Sequence, residues 1–152
     1  MDERVRGLLA GIAATVPMTA VIAAGRAAGW LGSPPPKQIS ARLAERGDVD
    51  DDLSPPAFDA AWFAAHFGFG GLCGAVYSSL RSFLPAAPPA AGLGYGLAVW
   101  TVSYGLLLPA LGLYPSPRHD RPSRLAVMIA AHAVFGIALA EADRLLAGPD
   151  AE

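Results

Sequence analysis

The sequence predicts an all-α, polytopic membrane protein: four transmembrane helices set as two tandem helical hairpins, a parallel pseudo-repeat, with a short interfacial helix in the first loop. Three observations predict it. Of the 152 residues, 53% are hydrophobic and only 16% are charged, a balance too apolar for an ordinary soluble domain of this size. The charges are also kept out of long stretches, with none at 7–25, 60–80, 82–117 or 125–140. At about 1.5 Å per helical residue, roughly 20 residues span the hydrocarbon of a bilayer. Finally, two local patterns recur in order. Gly7-Leu8-x-x-Gly11-x-Ala13 returns as Gly92-Leu93-x-x-Gly96-x-Ala98, and Ala64-Ala65-His66-x-x-Phe69-Gly70 returns as Ala130-Ala131-His132-x-x-Phe135-Gly136. Agreement in order between repeated segments is the mark of a duplicated architecture, here with its axis along the membrane normal.

The elements follow in chain order within one integral membrane domain over 1–152, with spans at about 5–29, 55–84, 90–113 and 123–146. The first span contains Pro17, which has no N–H for the carbonyl of Ala13. A mild kink is expected there, with the hydroxyls of Thr15 or Thr19 available to patch the gap. A cleaved signal peptide is the alternative for this segment, but its apolar run is longer than a typical signal core. In the loop that follows, Pro34-Pro35-Pro36 leads into 37–46, where Ile39 and Leu43 share a face and Gly47 can end a short surface helix. The acidic run Asp48, Asp50, Asp51, Asp52, with Asp59 beyond it, lacks the glycine and the final Glu of a calcium loop and reads as a solvated loop. Ser54 before Pro55 caps the second span, Pro109 frees the carbonyl of Gly105 near the end of the third, and Ser123 after Pro122 caps the fourth. Glycines spaced i, i+4 (Gly7/Gly11, Gly70/Gly74, Gly92/Gly96) suit helices that pack by close backbone approach.

Charge and cysteine content narrow the function classes. A net charge of −2 without a Lys/Arg-rich stretch excludes a basic nucleic-acid binder, and a single cysteine, Cys73, excludes an internal disulfide. The expected partners are the lipid bilayer and either a second copy of the chain or another membrane subunit. Four Lys/Arg residues fall on the side of the termini (Arg4, Arg6, Arg81, Arg144) and seven on the other, which favours cytoplasmic longer loops, while Arg4 and Arg6 ahead of the first span pull the other way. Trp30, Trp62, Tyr77 and Tyr114 near span ends fit an interfacial aromatic belt.

His66 and His132 are the candidate functional residues, because ionisable groups at membrane depth are costly and face a bundle interior or wet cavity. Helices of like direction bring both to similar depth, and three roles stay open. Each can hold helices in register by a hydrogen bond, with Thr101, Ser103, Tyr104 or the carbonyl freed by Pro109 as partner. The pair can relay protons or sense pH. Both can ligate a haem iron or share a metal, although two histidines alone do not complete a zinc site. Trp100, Tyr104 and Pro109 are expected to line a pocket. Glu141 and Arg26 are expected to snorkel to the interface, and His119 to be solvated. No catalytic residue is assigned: no nucleophile elbow, phosphate loop or HExxH occurs. No cofactor is predicted, haem being the one the histidines could take.

The chain resembles bacterial inner-membrane proteins of the YagU type, in Gly7-Leu8-x-x-Gly11, His66 with Tyr77, Gly92-Leu93-x-x-Gly96, Pro109-x-x-Gly112-Leu113-x-Pro115, and His132 with Glu141. The first loop is shorter and differently composed. The resemblance implies a small multi-pass protein of the bacterial plasma membrane, tied to envelope or acid stress, with no catalytic mechanism. The leading expectation is thus an accessory membrane protein, pH-responsive through its histidines. The alternatives are a membrane-embedded redox protein with haem or metal on His66 and His132, and thirdly a small-solute or ion transporter.

Overall fold

A computed structural model describes residues 1–47, 54–84 and 88–148, and all regular structure among them is helical. The helices are α1 (Glu3–Ala27), α2 (Pro35–Gly47), α3 (Pro55–Leu80), α4 (Pro88–Ala110) and α5 (Pro122–Ala147), with short 3₁₀ turns at Arg81–Phe83 and Pro117–His119. Three of them, α1, α4 and α5, are long and apolar enough to cross a membrane. The acidic run at 48 and 50–52 lies outside the described residues.

Helix ends differ from expectation for identifiable reasons. α1 stops at Ala27 and α4 at Ala110, because Gly29 and Gly112 turn left-handed (φ 76° and 62°) and close the ends with paired backbone bonds. In α4 these are Gly112 N–H to Pro109 and Leu113 N–H to Leu108. α5 begins a residue early, at Pro122, and Ser123 gives its hydroxyl to the carbonyl of Trp30 instead of capping. α1 stays continuous through Pro17. Thr15 and Thr19 do not reach Ala13; they donate to the carbonyls of Gly11 and Thr15 (2.8 and 2.7 Å). Ahead of Pro109, α4 widens into a π-helical stretch, Thr101–Leu107, in which Leu108 N–H bonds Ser103.

Glycines decide the packing. α1 runs antiparallel to α3 so closely that a Cβ on Gly11 would enter the Gly70 carbonyl, and one on Gly74 the Gly7 carbonyl. α4 crosses α5 in the same way, Gly92 and Gly96 against Gly136. The repeated motifs therefore supply both seams, but one turn apart: Gly136 seats between Gly92 and Gly96 as Gly74, not its motif equivalent Gly70, seats between Gly7 and Gly11. α1 also packs on α5, with Gly25 against Val127, whereas α3 and α4 meet near Tyr77 and Tyr95, where the Tyr95 hydroxyl donates to the Cys73 carbonyl (2.6 Å). Small residues such as Ala10, Ala14 and Ala131 are buried, while Val5, Leu8, Val16, Phe69, Leu72, Val102 and Leu106 face outward. Of the expected aromatic belt only Trp30 is exposed; Trp62, Tyr77 and Tyr114 are buried inside the molecule.

At the end holding both termini, Asp143 of α5 is buried and accepts from Arg6 Nε of α1 (2.9 Å) and Ser78 of α3 (2.5 Å). Glu141 pairs with Arg144 instead (2.9 Å). At the opposite end α2 lies against α3, joined by Lys37 to Asp59 (2.5 Å), and reaches the end of α4 through Arg46 to the Leu111 carbonyl (2.7 Å).

Candidate functional site

α3 and α4, joined near Tyr77 and Tyr95, part toward the opposite end and leave a cavity of about 250 Å³. α1 contributes Met18, α5 contributes Met128 and His132, and α3 contributes Trp62, Ala65, His66 and Phe69. Ser103, Tyr104, Leu107 and Leu108 of the widened part of α4 form another wall, and Pro35, Ile39, Ser40 and Leu43 of α2 cover the remainder. The sequence-predicted pair is thus brought to one cavity. Of the expected pocket residues only Tyr104 lines it. Trp100 stacks on Tyr104 at its back, and Pro109 lies outside the lining.

The histidines have partners that sequence reasoning did not name. His132 Nδ1 lies 2.8 Å from the carbonyl of Met128, one turn earlier on the same helix. A carbonyl only accepts, so Nδ1 carries the proton and Nε2 keeps a lone pair. His66 Nε2 lies 3.2 Å from the Thr19 hydroxyl, whose own proton goes to the Thr15 carbonyl. Nε2 therefore donates, and Nδ1 of a neutral His66 keeps its lone pair. Thr101, Ser103 and Tyr104 are not partners of either ring; Thr101 and Ser103 donate to the carbonyls one turn back.

The other polar hydrogens of the lining are spent in the same manner. Ser103 donates to the Val99 carbonyl (2.6 Å), Trp62 Nε1 to Asp59 (3.0 Å), and the Tyr104 hydroxyl to Asp120. Ser40 apart, the polar side chains of the described lining keep no unspent N–H or O–H while each imidazole keeps a lone pair, and no described lining residue is an Asp, Glu, Lys or Arg. Behind Tyr104, Asp120 is paired with Arg124 (3.4 Å), which also donates to Tyr114 (2.9 Å). Burial pushes the Tyr114 phenol above its ordinary value while Arg124 pulls it back. His119 is exposed beside this network.

Sequence reading missed the contributions of Met18, Met128 and α2, and the ion pairs Arg6–Asp143 and Asp120–Arg124. The last is local in the chain, but Asp120 lies ahead of α5 and so outside the helical i, i+4 rule. Arg6 and Asp143 are far apart in the chain and had no local signal. Among the described residues no three His, Cys, Asp or Glu side chains gather as a metal-ligand group.

Residues 1–151 match the model of a family of unknown function, DUF6789. The chain belongs to that family. No curated protein and no solved structure matches it.

Proposed function

We propose that this DUF6789 member is an integral protein of the bacterial plasma membrane that crosses it four times, α3 being the fourth span, and serves as an accessory, non-catalytic component. In that setting the His66/His132 cavity holds a small guest by donating lone pairs. α3 is as long as α5, its 60–80 stretch carries no charge, and Phe63, Phe69, Leu72 and Val76 stand outward on it as Val5, Leu8 and Val16 do on α1. Glycine, His66 and aromatic residues lower its hydropathy without adding charge. The recurrence of the glycine and histidine patterns reads as a duplication of a helix pair, with the one-turn slip and the divergence of α3 from α4 as the asymmetry that opens the cavity.

The observation that carries the reading is the orientation of the lining: two imidazoles from separate helices share one cavity, with neighbouring N–H and O–H groups tied to protein acceptors. A packing role alone does not call for two imidazoles, each with a spare lone pair, on one cavity. Native mass spectrometry of the full chain, extracted gently from membranes, tests this. A guest that is bound by the natural chain and by His119→Ala, but lost from His132→Ala, is expected. Identical guest-free spectra for all three would overturn the reading.

A second reading is haem ligation, favoured by the Met128 carbonyl, which turns His132 Nε2 outward as a backbone partner does for a ligating histidine. Its test is an absorption band of the Soret type in detergent, absent from both His66→Ala and His132→Ala.

A further inference from the structure

Beside the two imidazoles, the same cavity is lined by two thioethers, Met18 and Met128. Met128 and His132 stand at i, i+4 on α5 and so share a face, and the Met128 carbonyl fixes the ring whose Nε2 is left over. On α1, Met18 directly precedes Thr19, the residue that holds His66. Four residues with neutral, polarisable donor atoms, from three helices, therefore line one void, and among the described residues no carboxylate, Lys or Arg joins its lining.

We propose that this cavity is a site for a soft, singly charged metal ion, Cu(I), with His66 and His132 as nitrogen ligands and Met18 and Met128 as sulfur ligands. The inference rests on the reading of the cavity as the functional site. Charge selects first. Neutral ligands in a low-dielectric bundle leave the full ionic charge unbalanced, a cost that rises steeply from a monovalent to a divalent ion. Ligand chemistry selects next: thioether and imidazole suit Cu(I), whereas calcium and magnesium need oxygen donors. Among the described residues zinc would lack the third His, Cys or carboxylate that its sites use. Methionine side chains have three rotatable bonds, which lets the sulfurs follow the ion without moving the helices. Neither a thioether nor a neutral imidazole has to lose a proton, so uptake releases none, in contrast to binding at a thiol such as Cys73.

The test uses the full chain in detergent carrying Cys73→Ala, which removes the competing thiol. Cu(I) is titrated anaerobically against bicinchoninate, and Ag(I) serves as a redox-inert probe. One ion per chain is expected, with nitrogen and sulfur in its X-ray absorption shell and no proton release. Affinity should fall about tenfold or more in His66→Ala and in His132→Ala, and similarly in the Met18→Leu, Met128→Leu double variant, with unchanged melting temperature. The absence of uptake, or uptake that survives either histidine change or the double methionine change, overturns the proposal. Reaction of His132→Cys with methyl methanethiosulfonate on the same background separates the two failures. A reactive thiol with no metal uptake removes the ion and leaves the cavity; an unreactive one removes both.

Discussion

Asp143 shows how a single side chain carries more than its place in the chain suggests. Three residues from the end of the charge-free stretch 125–140, it has the sequence context of a charge at a helix end, yet it is 3% exposed and holds Arg6 of α1 and Ser78 of α3. Removing Asp143 strips its nearest anion from Arg6, which is 17% exposed and within 4.0 Å of Glu3, and its acceptor from buried Ser78, at a cost of about 1–3 kcal/mol. Asp143→Ala is therefore expected to lower the melting temperature in detergent sharply. Ser78→Ala, which removes one neutral donor, should cost about 1 kcal/mol. If Asp143→Ala melts like the natural chain, the cluster does not join the helices. The histidines teach a related lesson at this scale. His66 and His132 stood out because imidazole is rare in an apolar helix, but no sequence rule pairs His66 with a threonine 47 positions away.

For the helices, what was legible was length and face; what was not was partnership. Absence of charge marked the segments, and the i, i+4 glycines marked surfaces for close approach, but Gly/Ala surfaces are interchangeable in sequence and do not say which meets which. Position 96 and position 94 of α4 illustrate the difference. A Cβ at Gly96 would overlap the His132 carbonyl, whereas at Gly94 nothing lies within 4 Å. Gly96→Ala should force α4 off α5 and destabilise by about 1–3 kcal/mol, as overpacking does. Gly94→Ala should be neutral or stabilise by up to about 1 kcal/mol through helix propensity. Thermal unfolding of the two variants in one detergent compares them directly, and equal behaviour would refute the seam. The first-loop helix was legible from Ile39 and Leu43, but its position was not, since it depends on Lys37 meeting Asp59 and Arg46 meeting the end of α4. Exposed latches of this kind contribute about 0–1 kcal/mol each. The Lys37→Ala, Arg46→Ala double variant should consequently raise hydrogen exchange across 35–47 while the melting temperature stays nearly constant. Loss of the whole fold would instead make α2 part of the core.

For the whole molecule the proposed membrane setting turns on the number of crossings, and that number turns on α3. Arg6, Ser78 and Asp143 put the start of α1 and the ends of α3 and α5 together, while Trp30 with Ser123, and Arg46 with Leu111, gather the other ends. An even number of crossings leaves both termini on one face; three crossings, with α3 lying outside the hydrocarbon, would separate them. The contacts already require α3 to run beside α1 along its length, so if α1 spans the bilayer its partner is held at the same depth by the glycine seam. Single cysteines on the Cys73→Ala background read this out with a membrane-impermeant maleimide applied to intact cells. Asp2→Cys and Gly148→Cys should label alike, and Ser33→Cys and Ser116→Cys should both behave oppositely to them. The seven-to-four excess of Lys and Arg on the loop side further predicts that the termini, not the loops, are the positions labelled from outside. Termini that label from opposite faces would remove α3 from the membrane, and with it the argument that His66 lies at the depth of His132.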